Sequence, residues 1–360
     1  SVIGGRGMAI INTASELAYY LATEKEISAG IVNPLLEAAI ELDVDIIRDK
    51  TGRCFVFGVL EHIEYAGVHS GDSSCSVIPR SLNAKILSQI EKTAVKFAEK
   101  LEMVGLINIQ FAVKEEEIFV IEVNPRASRT VPFTAKAISL PIIKIAVKLM
   151  CGKTLEEEEN FQNFAYKKFK DGYYVLDGIN FQAVKEPVFS FEKFMESDIV
   201  RGPEMKSLGE VMGLADNFGQ AFAKALIASG HKFVITGNAF VSIKNDDKTI
   251  EALDLCKKIA KLGFKIFATK GTAEFLSSNK IECEVVSKVY EGGNHIVKLI
   301  DAGQIHSAFN TTSGFKSLQD SFLIRRAIIR NKILHSTTLE GGVAVVNAIT
   351  EVKKSPLKIF

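Results

Sequence analysis

The chain has 360 residues, which at roughly 150 per domain makes about two or three domains. Hydrophobic residues make up 47% and charged residues 24%, a globular balance that excludes a disordered chain, a collagen-like repeat and a coiled-coil rod. A net charge of +1 argues against a dedicated nucleic-acid binder, and no apolar run approaches the ~20 residues that span a bilayer.

The chain opens Ser1-Val-Ile-Gly-Gly-Arg-Gly-Met8, inside an apparent strand that runs into a glycine-rich loop of the kind that covers phosphates. It reads as a piece of a longer polypeptide. The apolar run Phe55 to Leu60 is strand-sized. The stretch Glu61 to Ser73 follows it, with His62, Glu64, His69 and Asp72 beside Gly67 and Gly71. Its glycines permit close backbone approach, so it reads as a polar loop for a substrate or nucleotide. It lacks the H-E-x-x-H spacing of a zinc site.

Asn83 to Leu101 is expected as a helix with Ile86, Ile90, Ala94, Phe97 and Leu101 on one face. Two alternating runs follow, Ile107 to Val113 and Ile118 to Asn124, joined by Glu115-Glu116-Glu117. They predict an antiparallel hairpin. Phe119, Ile121 and Val123 form the apolar side of its second strand, with Glu122 and Asn124 opposite. If the turn centres on Glu116, residues 110 and 122 face each other with Cβ atoms about 5 Å apart. Gln110, Glu122 and Asn124 then converge as oxygen donors suited to magnesium. Arg126 and Arg129 stand just past the strand, where phosphate oxygens would lie. The plainer alternative is the solvated side of a hairpin, against which the Asn-Pro-Arg-Ala-Ser-Arg run weighs.

Asn124 to Pro132 and Phe181 to Pro203 read as irregular, and Glu156 to Glu159 as a solvated patch. A domain boundary is expected near residue 233. Beyond it, strands are expected at 239–243, 264–269, 283–286 and 305–310. A helix runs from Lys248 to Leu262 with Ile250, Leu253, Cys256 and Ile259 on one face, capped by Gly263. Further helices are expected at 272–278, 294–302 and 317–330. This alternation predicts a parallel sheet covered on both faces, with ligands beyond the carboxyl ends of its strands. Ala268 to Thr272 and Asn310 to Gly314 each follow a strand, and their hydroxyls and N–H groups suit an anion, with Lys248 and Lys288 adding charge. The alternative there is ordinary turn chemistry. Cys54, Cys75, Cys151, Cys256 and Cys283 form no C-x-x-C pair and read as small core residues of a reduced, cytoplasmic protein.

Several strings together resemble the large chain of the carbamoyl phosphate synthetase family. They are Glu61-His-Ile-Glu64, Ala66-Gly-Val-His-Ser-Gly-Asp-Ser73, Glu122-Val-Asn-Pro-Arg-Ala-Ser-Arg-Thr-Val-Pro-Phe133, Gly202-Pro-Glu-Met205, Gly209-Glu-Val-Met-Gly213 and Asn310-Thr-Thr-Ser-Gly314. The resemblance implies an α/β chain, with an α+β ATP-grasp portion on an antiparallel sheet followed by a doubly wound parallel-sheet regulatory domain. It implies a lid remnant at 1–30, the ATP-grasp C-subdomain at 31–212, a linker at 213–232 and a methylglyoxal-synthase-like domain at 233–360. The implied activity is a glutamine-hydrolysing ligase's second step, in which MgATP phosphorylates carbamate to carbamoyl phosphate.

By the same resemblance, Leu36, Glu41, Gly67, Val68, His69, Ser70, Gln110 and Glu122 match ATP-site positions. Gln110, Glu122 and Asn124 match ligands of Mg2+ or Mn2+, and Asn124, Arg126 and Arg129 match the catalytic group. Potassium near Glu41, His62, Glu64 and Ser70 is implied. So is an ornithine site from His62, Glu64, Asp72, Glu186 and Thr337, although Phe189 and His335 depart from the family's Leu and Tyr. Lys248, Thr269, Thr272, Lys288, Asn310, Thr312 and Ser321 match a UMP and IMP effector site, in which Lys270 replaces a His. Pro34 stands where a relative has His on the adenine side. The implied partners are the N-terminal part of the large chain and a glutamine amidotransferase small subunit, with no nucleic acid and no membrane. The competing readings are a catalytically silent nucleotide-sensing module and another ATP-grasp ligase.

Overall fold

A computed structural model describes residues 5, 7–23, 31–189, 198–288, 295–312 and 315–358, with 315–320 as backbone only. Two compact units divide the chain: Ser1–Lys185 with Gly202–Lys206, and Glu186–Arg201 with Ser207–Phe360.

The first unit contains, in order, α1 (Ala14–Thr23), β1 (Ile40–Arg48), β2 (Cys54–His62), β3 (Cys75–Ser76), α2 (Ala84–Lys100), β4 (Gly105–Lys114) and β5 (Glu117–Asn124). Then come α3 (Thr130–Ala137), α4 (Ile142–Met150), α5 (Glu159–Gln162), β6 (Lys167–Lys170), β7 (Tyr173–Leu176) and β8 (Gln182–Val188), whose last residues pass into the second unit. The sheet runs β5-β4-β1-β2-β3-β8, each neighbour antiparallel, and β7 joins β2 in parallel.

Alternation along β1 sends Leu42, Val44 and Ile46 to one face, where they pack with Ile107, Ile109 and Phe111 against α2. Phe111 has no exposed surface, so truncating it to alanine costs about 3–5 kcal/mol. Helix α2 starts where Asn83 Oδ1 accepts the Ile86 N–H at 2.9 Å. Its buried stripe is Ile86, Ile90, Ala94 and Ala98, the i+4 row. Phe97 is half-buried and Leu101, the C-cap, is 45% exposed, so the expected face is displaced by one position at its end.

The hairpin β4–β5 corrects two expectations. Its turn is the two-residue Glu115-Glu116, both at positive φ, with Lys114 opposite Glu117. Regular pairing from that turn would set Gln110 against Ile121. A bulge at Ile121 shifts the register by one, so Gln110 does face Glu122. The bulge also reverses the alternation. Ile118 and Val123 pack on the core, whereas Ile121 is 47% exposed and Phe119 pairs with Ala112.

Other expectations fail locally. The stretch after Phe181 holds β8, because Lys185 and Glu186 are buried strand residues. Glu158 is buried under Lys148 Nζ at 2.7 Å and Asn160 Nδ2 at 2.9 Å, so the acidic run is only partly solvated. Cys151 is exposed at the end of α4 and is no core residue.

The second unit contains β9 (Gly209–Ala215), α6 (Phe218–Ala228), β10 (Gly237–Ser242), α7 (Ile250–Lys261), β11 (Phe264–Thr269), α8 (Lys270–Ser278) and β12 (Glu284–Val286). It continues with α9 (Ile296–Asp301), β13 (Ser307–Asn310), α10 (Phe315–Arg330), β14 (Leu334–Ser336) and α11 (Leu339–Lys354). The sheet β12-β11-β10-β13-β14 is wholly parallel, and its order reverses between β10 and β13. Phe240, Ala308, Ile296, Ile300, Ile324 and Ile328 build the core on one face.

Residues 213–232 carry the whole of α6, capped by Asn217 Oδ1 on Gln220 N–H at 3.0 Å. A side chain at Gly213 would meet the Ala221 carbonyl oxygen at 1.8 Å, so only glycine lets α6 lie on β9. Helix α7 begins at Ile250 after a 3-10 turn at Asn245–Asp247 and buries Ala252, Leu255, Cys256 and Ile259. Ile250 is 74% exposed, so the buried face is rotated from the expected one. Among the described residues no single helix is long and apolar enough to cross a membrane.

Candidate functional site

In the first unit, the face of β1 opposite the α2 core carries Glu41, Asp43 and Asp45, all buried. Register places Asp43 against Gln110 and Gln110 against Glu122, and Asp45 against Asn108 and Asn108 against Asn124. The result is two polar rows across β1, β4 and β5.

Burial demands partners for such acids, and Asp43 and Asp45 are hydrogen-bonded. His62 Nε2 meets Asp43 Oδ2 at 2.9 Å, and Asn108 Nδ2 bridges Asp43 Oδ1 at 3.2 Å and Asp45 Oδ1 at 2.9 Å. Ser128 Oγ and Thr130 Oγ1 donate to the two oxygens of Asp45 at 2.8 and 2.6 Å. Glu41 Oε1 stands 4.0 Å from His62 Nδ1.

Burial pushes Glu41 up to about 7, against the pull of His62 and with help from Asp43 and Glu122. Burial, then the charge of Asp43, raises Asp45 to about 6. Burial works against the charged forms of Asp43 and His62 too. Their mutual hydrogen bond outweighs it, holding Asp43 below its ordinary value and His62 above.

Gln110 Nε2 donates to Ser70 Oγ at 3.0 Å, which ties the strand pair to the loop 66–73. Ala66 N–H bonds the Ala39 carbonyl and Ala39 N–H that of Leu36, so Leu36 and Gly67 are brought to the start of β1. Gly67 has φ +113°, and a Cβ there would crowd Ile10 and Leu35. Val68 follows it, half-buried. His69 N–H bonds the Gly202 carbonyl at 2.8 Å, and Asp72 Oδ2 accepts the Lys206 N–H at 2.8 Å. The 202–205 motif therefore lies on the loop. Burial lowers the His69 pKa, and Arg129 lowers it further, which places that guanidinium within electrostatic reach.

Asn124 Nδ2 donates to Glu122 Oε1 at 2.7 Å, and Arg126 donates to Asn124 Oδ1 at 3.3 Å. Arg126 and Arg129 are exposed. Gln110, Glu122 and Asn124 offer one carboxylate and two amide oxygens, a hard donor set that fits a magnesium ion completing its shell with phosphate and water. No cluster of three or more His, Cys, Asp and Glu ligands occurs among the described residues.

Of the residues matched to ornithine, His62, Glu64 and Asp72 belong to the first unit and Glu186 and Thr337 to the second. Glu64 Oε2 accepts the Ser74 N–H at 2.9 Å, and Glu186 Oε1 meets Arg201 at 3.4 Å.

In the second unit, Thr269, Thr272, Lys248 and Asn310, four of the residues expected to bind an effector, lie at the carboxyl ends of β10, β11 and β13. Thr272 Oγ1 accepts the Ile243 N–H at 2.9 Å and lies 3.3 Å from Thr269 Oγ1, itself 3.2 Å from Ser242 Oγ. Lys248 Nζ donates to the Gly271 carbonyl at 2.8 Å. Asn310 pairs with Ser242 in register, and its buried Nδ2 has no hydrogen-bond partner among the described residues. Thr312 follows β13, Lys288 follows β12, and Ser321 is buried in α10. Ser313 and Gly314, like Gly4 and Arg6, lie outside the described residues.

Sequence reasoning missed Asp43, Asp45 and Asn108. The signal was present as three acids at period two in Ile-Glu-Leu-Asp-Val-Asp, a pattern that ordinarily marks a solvated face.

The family model for the carbamoyl-phosphate synthase L chain, ATP binding domain, matches residues 1–158, and that for the MGS-like domain matches residues 251–337. The carbamoyl phosphate synthase large chain of Xanthomonas axonopodis pv. citri (strain 306) is 44% identical over 356 residues, 97% of this chain and 32% of that protein. The carbamoyl phosphate synthase large chain, C-terminal section, of Aquifex aeolicus (strain VF5) is 42% identical over 98% of this chain and 66% of that protein. Its counterpart in Methanocaldococcus jannaschii is 40% identical over 100% of this chain and 58% of that protein. The chain thus spans 32% of the length of the Xanthomonas protein and more than half of each C-terminal section. With an ATP-binding match and an MGS-like match in this order and nearly every residue aligned, the chain belongs to the carbamoyl phosphate synthase large chain family and corresponds to its C-terminal section.

Proposed function

We propose that the first unit phosphorylates carbamate with MgATP and that the second unit binds a nucleotide monophosphate that regulates it. The observation that carries the first half is the Gln110–Glu122 pair beside Asn124, with two guanidinium groups past the strand end. A carbamate oxygen attacks the γ-phosphorus, the bond to the bridging oxygen breaks, and carbamoyl phosphate and ADP form. Such a transition state carries charge on phosphoryl oxygens and asks mainly for positioning and electrostatic stabilisation. Arg126 and Arg129 supply donors to those oxygens. Gln110, Glu122 and Asn124 would hold magnesium or manganese, which neutralises phosphate charge when bound. Leu36, Gly67 and Val68 offer apolar surface and open backbone to the nucleotide, and His69 and Ser70 polar contacts. Glu41, His62, Glu64 and Ser70 are the residues for a potassium ion. The rest of the large chain and a glutamine amidotransferase subunit complete the pathway to carbamate.

The test is formation of ATP from carbamoyl phosphate and MgADP by this chain assembled with the remainder of the large chain. Glu122→Gln should silence it while circular dichroism stays unchanged. Turnover at the unsubstituted rate in that variant would overturn the assignment.

For the second unit, the supporting observation is hydroxyls, an amide and Lys248 at the point where the parallel order reverses, where ligands of such sheets bind. Calorimetric titration with UMP and then IMP tests it. Binding lost in Thr272→Ala is the expected result, and binding without any turnover in the assembled chain would favour a silent sensing module.

A further inference from the structure

Asp45 has no exposed surface and takes no part in the reading above. Its two oxygens accept hydrogen bonds from Ser128 and Thr130, the residues on either side of Arg129. The two hydroxyls also lie 2.6 Å from each other, and Ser128 Oγ accepts the Val131 N–H at 3.2 Å. Arg129 is the N-cap of α3, but it makes no side-chain cap hydrogen bond and is exposed. Its place is therefore set by its backbone, and that backbone is gripped on both sides by one carboxylate. Asn108 bridges this carboxylate to Asp43, which His62 holds in turn, so the grip is anchored in the sheet. Anchoring a helix start needs no buried acid, since apolar contacts serve without the cost of desolvating a carboxylate. What the acid adds is direction: two charge-assisted bonds at fixed angles.

We propose that Asp45 is a positioning residue for phosphoryl transfer, fixing Arg129 through Ser128 and Thr130. This rests on the proposed function of the first unit. A reacting group misplaced by about 1 Å loses roughly a hundredfold in rate, so the grip has a measurable kinetic signature.

The assay is again ATP formation from carbamoyl phosphate and MgADP in the assembled large chain. Asp45→Asn should lower kcat at least about tenfold and shift KM for MgADP less than about twofold, because the lost interaction acts in the transition state. Thr130→Val, which removes only the hydroxyl, should do likewise, and Thr130→Ser, which restores it, should recover most of the rate. In an Arg129→Ala background, Asp45→Asn should cost almost nothing further, because the group it positions is gone. A folded Asp45→Asn variant with full kcat would overturn the assignment. So would its full loss repeated in the Arg129→Ala background, or Thr130→Ser performing no better than Thr130→Val. Should Asp45→Asn not fold by circular dichroism, the Thr130 pair decides. Glu122→Gln separates the two levels: if it leaves the rate intact, the phosphoryl-transfer reading falls and takes this one with it. If it silences the reaction while Asp45→Asn and Thr130→Val do not slow it, only the positioning role falls.

Discussion

The two units place polar groups at strand ends by opposite means. In the first, acids sit inside the sheet and hydroxyl and amide donors are arranged around them, as at Asp45 with Ser128, Thr130 and Asn108. In the second, Thr269 and Thr272 meet each other, Ser242 and the backbone of Ile243, and no carboxylate bonds either of them among the described residues. Buried acids make a stiff frame at high electrostatic cost, which suits chemistry that fails when a group moves. Neutral hydroxyls make a softer cradle, which suits a ligand that binds and leaves. On the roles proposed above, the contrast teaches that burial of charge, more than its amount, separates the two sites.

The largest effect should sharpen that contrast. Glu122→Gln should lower phosphoryl transfer at least about a thousandfold, the equivalent of several kcal/mol of lost charge stabilisation, and leave the calorimetric signal for UMP or IMP untouched. Loss of both functions together would break the separation of roles. Next, Thr272→Ala should weaken nucleotide binding about tenfold, the worth of one buried hydrogen bond, and spare ATP formation. An unchanged titration curve would remove Thr272 from the cradle.

A subtler test uses pH. Glu41 and Asp45 are raised to about 7 and 6 from ordinary values of 4.5 and 3.8, so the folded state keeps protons that the unfolded chain has released. His69, lowered by burial, opposes this below 6.5, but two buried acids outweigh one part-buried ring, so stability of the first unit should fall as pH rises from about 4 to 7, and His62, raised by Asp43, continues the loss above 6.5. In the second unit, burial and neighbouring positive charge press His231 and His335 down to about 3 and 4, whereas unfolded imidazoles take up protons near 6.5. That unit should lose stability as pH falls from 6.5 towards 4. Both residues are part-buried, so the loss from each is at most the ~1.4 kcal/mol per pH unit that one titrating ring can give. Hydrogen exchange of β1 and β14 amides, corrected for intrinsic rate, should show opposite trends between pH 4.5 and 7. Trends of the same sign would break the comparison. The smallest expected effect concerns α2: Leu101→Ala should change the melting free energy by less than about 0.5 kcal/mol, while Ala98→Leu should cost about 1–3 by overpacking.

Much of this was readable from residue order, and the failures have physical causes. The motif strings named many of the residues that meet, because several begin at the end of a strand, as at Glu61 in β2 and Glu122 in β5, and strand ends gather. The facing of Gln110 and Glu122 came out right through two errors that cancel, a turn set half a residue off and an unforeseen bulge. The acids of β1 stayed hidden because alternation shows which residues share a face but not whether water reaches it. Helix α11 escaped notice because Gly341, Gly342 and its β-branched residues are weak helix formers. Packing overrides them: a Cβ at Gly342 would stand 3.2 Å from Leu255 and Phe309, so the glycine is what lets the helix lie close. Strand β8 was obscured by charges that the fold buries.

The unpaired residue at Ile121 has one more consequence. It divides β5 into two lengths with independent duties. The turn-side length packs on the core through Ile118, opposite Val113, and sets the exposed Val120 beside Phe111. The loop-side length also packs on the core, through Val123, and sets Glu122 and Asn124 opposite Gln110 and Asn108. Removing Ile121 would preserve every partner on both sides, yet it would take out the local twist that a bulge adds. Glu122 and Asn124 would keep their neighbours and lose their aim. The hairpin thus behaves like a jointed arm, whose hand is turned by a wrist rather than by the length of the limb.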